Sequence, residues 1–186
     1  MDHEAAAVAA TAALTAAHPH LKRVAAPHPA LEGCDDVEWA SVPGCPVDVP
    51  AVLRGLLDPD AAESAERVLV RVVMSGPMSV SAAMPAVVPH LLRLTADPSV
   101  PRRAELLVIL LVAAALSAPT DPGNAWHLAI GGLEQDHPER ARCRAAFAAG
   151  AVWVRRLLAD EELLAGAGLD ADDRQSLADA AGLRDA

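Results

Sequence analysis

Aromatic side chains are scarce in this sequence: tyrosine is absent, phenylalanine occurs once and tryptophan three times, although 53% of the residues are hydrophobic. The apolar mass is therefore alanine, valine and leucine. Alanine and leucine lead the helix-propensity ranking, and the valines fall in helix-spaced patterns rather than alternating runs, so an all-α protein is expected. Lysine is reduced to Lys22 alone, and the net charge is −10. That balance opposes phosphate backbones, whose binding needs clustered Lys and Arg, so nucleic acid is disfavoured as a partner. The three cysteines, Cys34, Cys45 and Cys143, are odd in number and far apart. This argues against a disulfide framework and fits a reducing, cytoplasmic setting. A membrane span is not expected, because the longest apolar run, Leu106 to Leu116, has eleven residues, against about 20 for a bilayer. Acidic Asp2 and Glu4 stand before the apolar stretch Ala5 to Ala17, where a secretory signal would be positive.

Catalytic signatures are missing as well. Gly-x-Ser-x-Gly, glycine-rich phosphate loops and His-Glu-x-x-His do not occur, and Cys143 sits in an alanine-rich context as a small hydrophobe. No catalytic residue is assigned. His18, His20, His28, Cys34 and Cys45 are zinc-ligand types, but their irregular spacing lacks the paired ligands of structural zinc motifs, so no metal or cofactor is predicted.

What the sequence does contain is an internal repeat. Val49 to Val73 matches Val88 to Val112 at a constant offset of 39, with Val49/Val88, Pro50/Pro89, Leu53/Leu92, Arg54/Arg93, Asp58/Asp97, Pro59/Pro98, Ala65/Ala104, Glu66/Glu105 and Val73/Val112 identical. Each copy reads as a helical hairpin. Pro50 and Pro89 suit a first helical turn, and Asp58-Pro59 and Asp97-Pro98 end that helix. A second helix follows, in the second copy from near Pro101 through Leu116, apolar almost all round as if sandwiched between neighbours. A degenerate third copy, Arg156 to Asp160, parallels Arg93 to Asp97 at an offset of 63, leaving 24 extra residues in the connection after Ser117. Such a period predicts a short right-handed α-solenoid, a stack of HEAT-like helical hairpins in one compact domain. Residues 1–47 supply a capping helix, Asp2 to Ala17, and a Pro-rich linker. Residues 48–186 form the repeat region, with hairpins at about 48–74, 84–117 and 138–181 and an insertion at about 117–140. Asp170 to Ala180 reads as a terminal helix with Gly182 as its stop.

The segment Trp39 to Leu116 resembles a group of bacterial, actinomycete-type HEAT-like repeat proteins. The likeness rests on Trp39, Asp48-Val49-Pro50 through Leu56-Leu57-Asp58, Ser75-Gly76-Pro77, Ser81-Ala82-Ala83 and Val88-Pro89-His90-Leu91-Leu92-Arg93-Leu94. Arg144 to Gly150 looks similar too. Many members carry His-Gln-Gly in the loop after the first hairpin, where this chain has Met74-Ser75-Gly76, so no role of that motif carries over. The resemblance implies the scaffold and transfers no activity.

Candidate binding residues are Trp126, His127, Asp121 and Asn124 in the insertion, and His90 and Arg93 in the second copy. An aromatic flanked by polar groups on a loop has hot-spot composition; the alternative is that Trp126 pins the insertion to the core. His90, which replaces Ala51 of the first copy, is expected at a concave groove or as a satisfied histidine on the helix surface. Arg54, Arg93 and Arg156 share one register position and are expected to pair with Asp58, Asp97 and Asp160 four residues on. Trp39 should wedge against the first hairpin, and Trp153 should be core or half-buried. The functional expectation is a non-enzymatic interaction scaffold, of immunity type or regulatory, binding a basic protein partner on its repeat surface. The alternative is a small-molecule-binding or catalytic helical protein with a pocket between repeats lined by His90, Trp126 or His127.

Overall fold

The computed structural model describes residues 3–23, 28–125, 128–129 and 132–183. Nine α-helices occur among them, with one two-stranded ribbon, so the protein is all-α. In chain order they are α1 (His3–Ala17), α2 (Val49–Gly55), α3 (Ala62–Val73), α4 (Met84–Ala96), α5 (Arg103–Ser117), α6 (Pro138–Ala149), α7 (Ala151–Leu158), α8 (Glu161–Ala167) and α9 (Ala171–Ala180). The linker after α1 is wound into short 3-10 turns at Pro19–Lys22, Pro29–Leu31, Cys34–Asp36 and Trp39–Ser41. Strands β1 (Met74–Gly76) and β2 (Ser79–Val80) pair antiparallel and join α3 to α4.

Local chemistry explains most boundaries. Pro50 lies in the first turn of α2, where its missing N–H is not needed. The equivalent Pro89 does not open its helix. α4 begins at Met84 with Pro85 in its first turn, and Pro89 lies inside it. The correction has a plain cause: Ser81 Oγ accepts the Ala83 N–H, turning the chain into helix one turn earlier than the repeat predicts. Asp170 caps α9 through a reciprocal capping box with Asp173. Gly182, after α9, adopts a left-handed φ of 68°, the usual helix-ending conformation.

Helix α3 is amphipathic, burying Ala62, Ala65, Val68, Leu69, Val72 and Val73 while Glu63, Arg67 and Arg71 face out. α2 packs on α3, and α1 on both. Gly55 permits that approach: a Cβ there would stand 2.7 Å from the Ala65 Cβ. α4 packs on α5; α6 lies against both, α7 against α4, and α8 and α9 against α5. The apolar side chains form one continuous core from Ala7 in α1 to Leu183 beyond α9. At the centre of its C-terminal half is Phe147, fully buried. α5 is not covered all round as expected, because Val108 is 41% exposed. No helix among the described residues is long and apolar enough to cross a membrane.

Candidate functional site

The repeated aspartates and arginines show how the fold is clasped. Each aspartate lies just beyond its helix and points one carboxylate oxygen at the following backbone. Asp58 Oδ1 accepts the Asp60 N–H at 2.9 Å, Asp97 Oδ1 the Ser99 N–H at 2.9 Å and Asp160 Oδ1 the Leu163 N–H at 3.0 Å. The second oxygen meets a base elsewhere in the chain: His20 at 2.5 Å from Asp58, His28 at 3.5 Å from Asp97, and Arg103 at 2.7 Å from Asp160. All three carboxyls are held below the usual range. The leading cause is the His20 hydrogen bond for Asp58, the Ser99 N–H for Asp97 and the Leu163 N–H for Asp160.

For Arg54 and Arg93 the expected pairing with the aspartate four residues on is corrected, while the Arg156 charge still acts on Asp160. α2 ends at Gly55 and α4 at Ala96, so the aspartates have left the helix and no longer stack over the arginines. The arginines reach the linker instead. Arg54 donates to the Leu21 carbonyl at 3.3 Å and to Asp35 Oδ1 at 2.5 Å, and Arg93 donates to the Glu32 carbonyl at 2.8 Å. Lys22 meets Asp48 at 3.0 Å. The described parts of the linker are thus bound at both ends of α2 and at the C-terminal end of α4.

His90 lies beneath this clasp. It is 4% exposed, neither on the helix surface nor on a groove wall. Its Nδ1 is 2.8 Å from the Arg93 guanidinium, which only donates, so Nδ1 is the acceptor and the ring is neutral. Burial first, then the Arg93 charge, push its pKa down to about 4 against the pull of a hydrogen bond with the Ala30 backbone. Trp39 is buried and donates Nε1–H to the Cys34 carbonyl at 2.9 Å. Trp153 is half-buried against the core.

Of the insertion residues, Trp126 and His127 lie outside the described residues. Asp121 and Asn124 belong to a turn after α5, in which Asp121 Oδ1 accepts the Gly123 N–H at 2.9 Å and its carbonyl the Asn124 N–H at 3.1 Å. Asp121 is exposed and Asn124 half-buried. Arg140, buried, ties this connection to α6 by donating to Thr120 at 3.0 Å, while Arg144 bonds both the Ser117 carbonyl and Glu134. The structure brings His90 and Arg93 together under the linker; Asp121 and Asn124 stand apart on the loop between α5 and α6.

Sequence reasoning missed an apolar surface depression. Between α3 and α5 runs a trough of about 330 Å³. Its walls are Val70 and Met74 from one side and Val108, Ile109 and Val112 from the other, with Glu66 and Glu105 at one end. Val70 is 38% exposed. Arg102 spans the acidic end, at 2.5 Å from Glu66 and 3.2 Å from Glu105. It does so in a left-handed conformation, φ 57°, uncommon for a residue with a side chain. The signal was present in the repeat. Glu66 and Glu105 are equivalent positions, and each has an apolar residue four positions on, Val70 and Ile109.

Among the described residues, no group of three or more His, Cys, Asp or Glu is arranged to hold a metal ion. Cys34 and Cys143 are buried and Cys45 is half-buried, all free thiols; burial pushes them up to about 11, about 12 and about 11 in turn. Comparison with known proteins finds no family model, curated protein or solved structure that matches the chain.

Proposed function

We propose that the protein is a non-enzymatic interaction module, a short α-solenoid of HEAT-like hairpins that binds a basic protein partner in the trough between α3 and α5. The trough carries this reading. A contiguous apolar valley open to solvent is costly to leave uncovered and marks interaction surfaces. Its walls present side chains at helical spacing, which suits an amphipathic partner helix laying apolar residues into a groove. Glu66 and Glu105 at the mouth are already bridged by Arg102, so the preference for lysine and arginine around that helix rests on the chain's net charge of −10. The solenoid part is supported by the order of packing, in which α2–α3, α4–α5 and α6–α9 each lie against the next group. The resemblance to actinomycete-type HEAT-like proteins, a cytoplasmic setting and an immunity-type or regulatory role belong to the same proposal. A small-molecule pocket walled by His90 is disfavoured, since His90 lies buried beneath the linker.

The test is affinity capture from host lysate with the wild-type chain and with Val108→Glu. The wild type is expected to retain one stoichiometric basic partner that high salt releases. Val108→Glu should lose it while its own stability stays within about 0.5 kcal/mol, as for other surface substitutions. Equal capture by both proteins would move the contact away from the trough, and no enriched partner would remove the reading.

A further inference from the structure

The Arg/Asp device occurs three times, and among the described residues the linker covers the first two. Arg54 has a carbonyl and a carboxylate from the linker, and Arg93 has a linker carbonyl. Arg156, at the same register position in α7, makes no hydrogen bond among the described residues. Its guanidinium instead lies over the Trp153 ring, 6.0 Å from the centroid. Beside it a cavity of about 570 Å³ opens between Pro29–Glu32 of the linker, the end of α4 at Ala96–Pro98, and Trp153 with Arg156. The cavity begins where the linker's cover of the arginine row stops.

We propose that this cavity is a subsite for a short, non-helical acidic peptide from a partner protein, with Arg156 taking its carboxylate and a backbone carbonyl. The chemistry is read from the chain's own linker: Arg54 is satisfied by the Asp35 carboxylate and the Leu21 carbonyl, and Arg156 repeats Arg54. A guanidinium is a planar fork of donors that matches such a pair of acceptors, and the indole 6.0 Å away offers it a cation–π contact. Asp160, the carboxylate whose charge acts on Arg156, is bonded to Arg103 and to the Leu163 N–H. Arg93 is bonded to Glu32 and His90, and Asp97 to Ser99 and His28. Glu32 is exposed on the linker side of the cavity, so the peptide's acidic residue is placed on the Arg156 side. A short non-helical peptide suits the site because the linker residues on the first two arginines lie in or just after 3-10 turns rather than in α-helix. The subsite is separate from the α3–α5 trough and does not depend on it.

The probe is a fluorescein-labelled peptide copying residues 29–36, with serine in place of Cys34, titrated into the full chain by fluorescence polarisation. Saturable binding is expected. It should weaken at least about tenfold, roughly 1.4 kcal/mol, in Arg156→Gln and when both peptide aspartates become asparagine. Arg156 is exposed, so Arg156→Gln should keep the wild-type melting curve, which a parallel melt checks. Four results would overturn the proposal. They are no saturation by about 1 mM peptide, equal affinity for Arg156→Gln, tighter binding to Arg93→Gln, which would mean displacement of the linker, and equal affinity for free N-acetylglutamate, which would mean a small carboxylate site.

Discussion

His90 carries the clearest single-residue consequence, because a neutral imidazole under the linker links folding to pH. Its folded pKa, about 4, lies below the ordinary value of 6.5. Above pH 6.5 both folded and unfolded chains hold it neutral and it has no effect. As pH falls from 6.5 towards 4 the unfolded chain takes up a proton that the folded chain refuses, so stability is lost across that window. The size is of the order of 1.4 kcal/mol per unit of difference, a few kcal/mol in all. Urea melts at stepped pH should show this loss in the wild type and a flatter profile in His90→Gln; identical profiles would place the acid sensitivity in other groups. The residue type at position 90 was legible as a departure from Ala51 of the first copy. Its burial was not, because the covering residues, Ala30 and Glu32, lie some 60 positions earlier in the chain.

At the scale of elements, the repeated aspartates act as joints. Asp160 caps α8 through the Leu163 N–H and anchors α5 through Arg103, whose Nε also donates to the Thr95 carbonyl. Asp160→Ala removes a helix cap, a loss of about 0.5–2 kcal/mol. Thermal melts should place Asp160→Asn, which keeps the cap oxygen, between the wild type and alanine. If asparagine were as damaging as alanine, the ion pair with Arg103 rather than the cap would dominate. Gly150, between α6 and α7, is the opposite kind of joint. A Cβ there would collide with Leu92, which is fully buried, so Gly150→Ala forces the third group of helices away from α4. Element boundaries near proline and aspartate were readable from sequence where the signal is local, as at Asp170. They failed at Pro89, where the turn before α4 decided the start.

For the molecule as a whole, one core links the helices of the first copy to those at the C-terminal end, so unfolding is expected in a single transition. Phe147, the single phenylalanine, is fully buried in α6, which packs on both α4 and α5. Phe147→Ala should cost about 3–5 kcal/mol and shift the entire calorimetric transition; a variant in which only part of the heat moves would mean the helix groups unfold separately. Sequence by itself determined the all-α class and the places where helices pause. Composition, apolar period and breaker residues act over a few positions, and those forces are the same in any fold. Only the tertiary structure decided which charges meet. Arg54 and Arg93 left their neighbouring aspartates for a linker folded back along the row, Glu66 and Glu105 came to one end of an open trough, and Arg156 came to lie over Trp153 beside a cavity. Each outcome depends on segments distant in sequence brought within hydrogen-bonding distance by burial of the apolar faces, a non-local competition that residue order alone does not reveal.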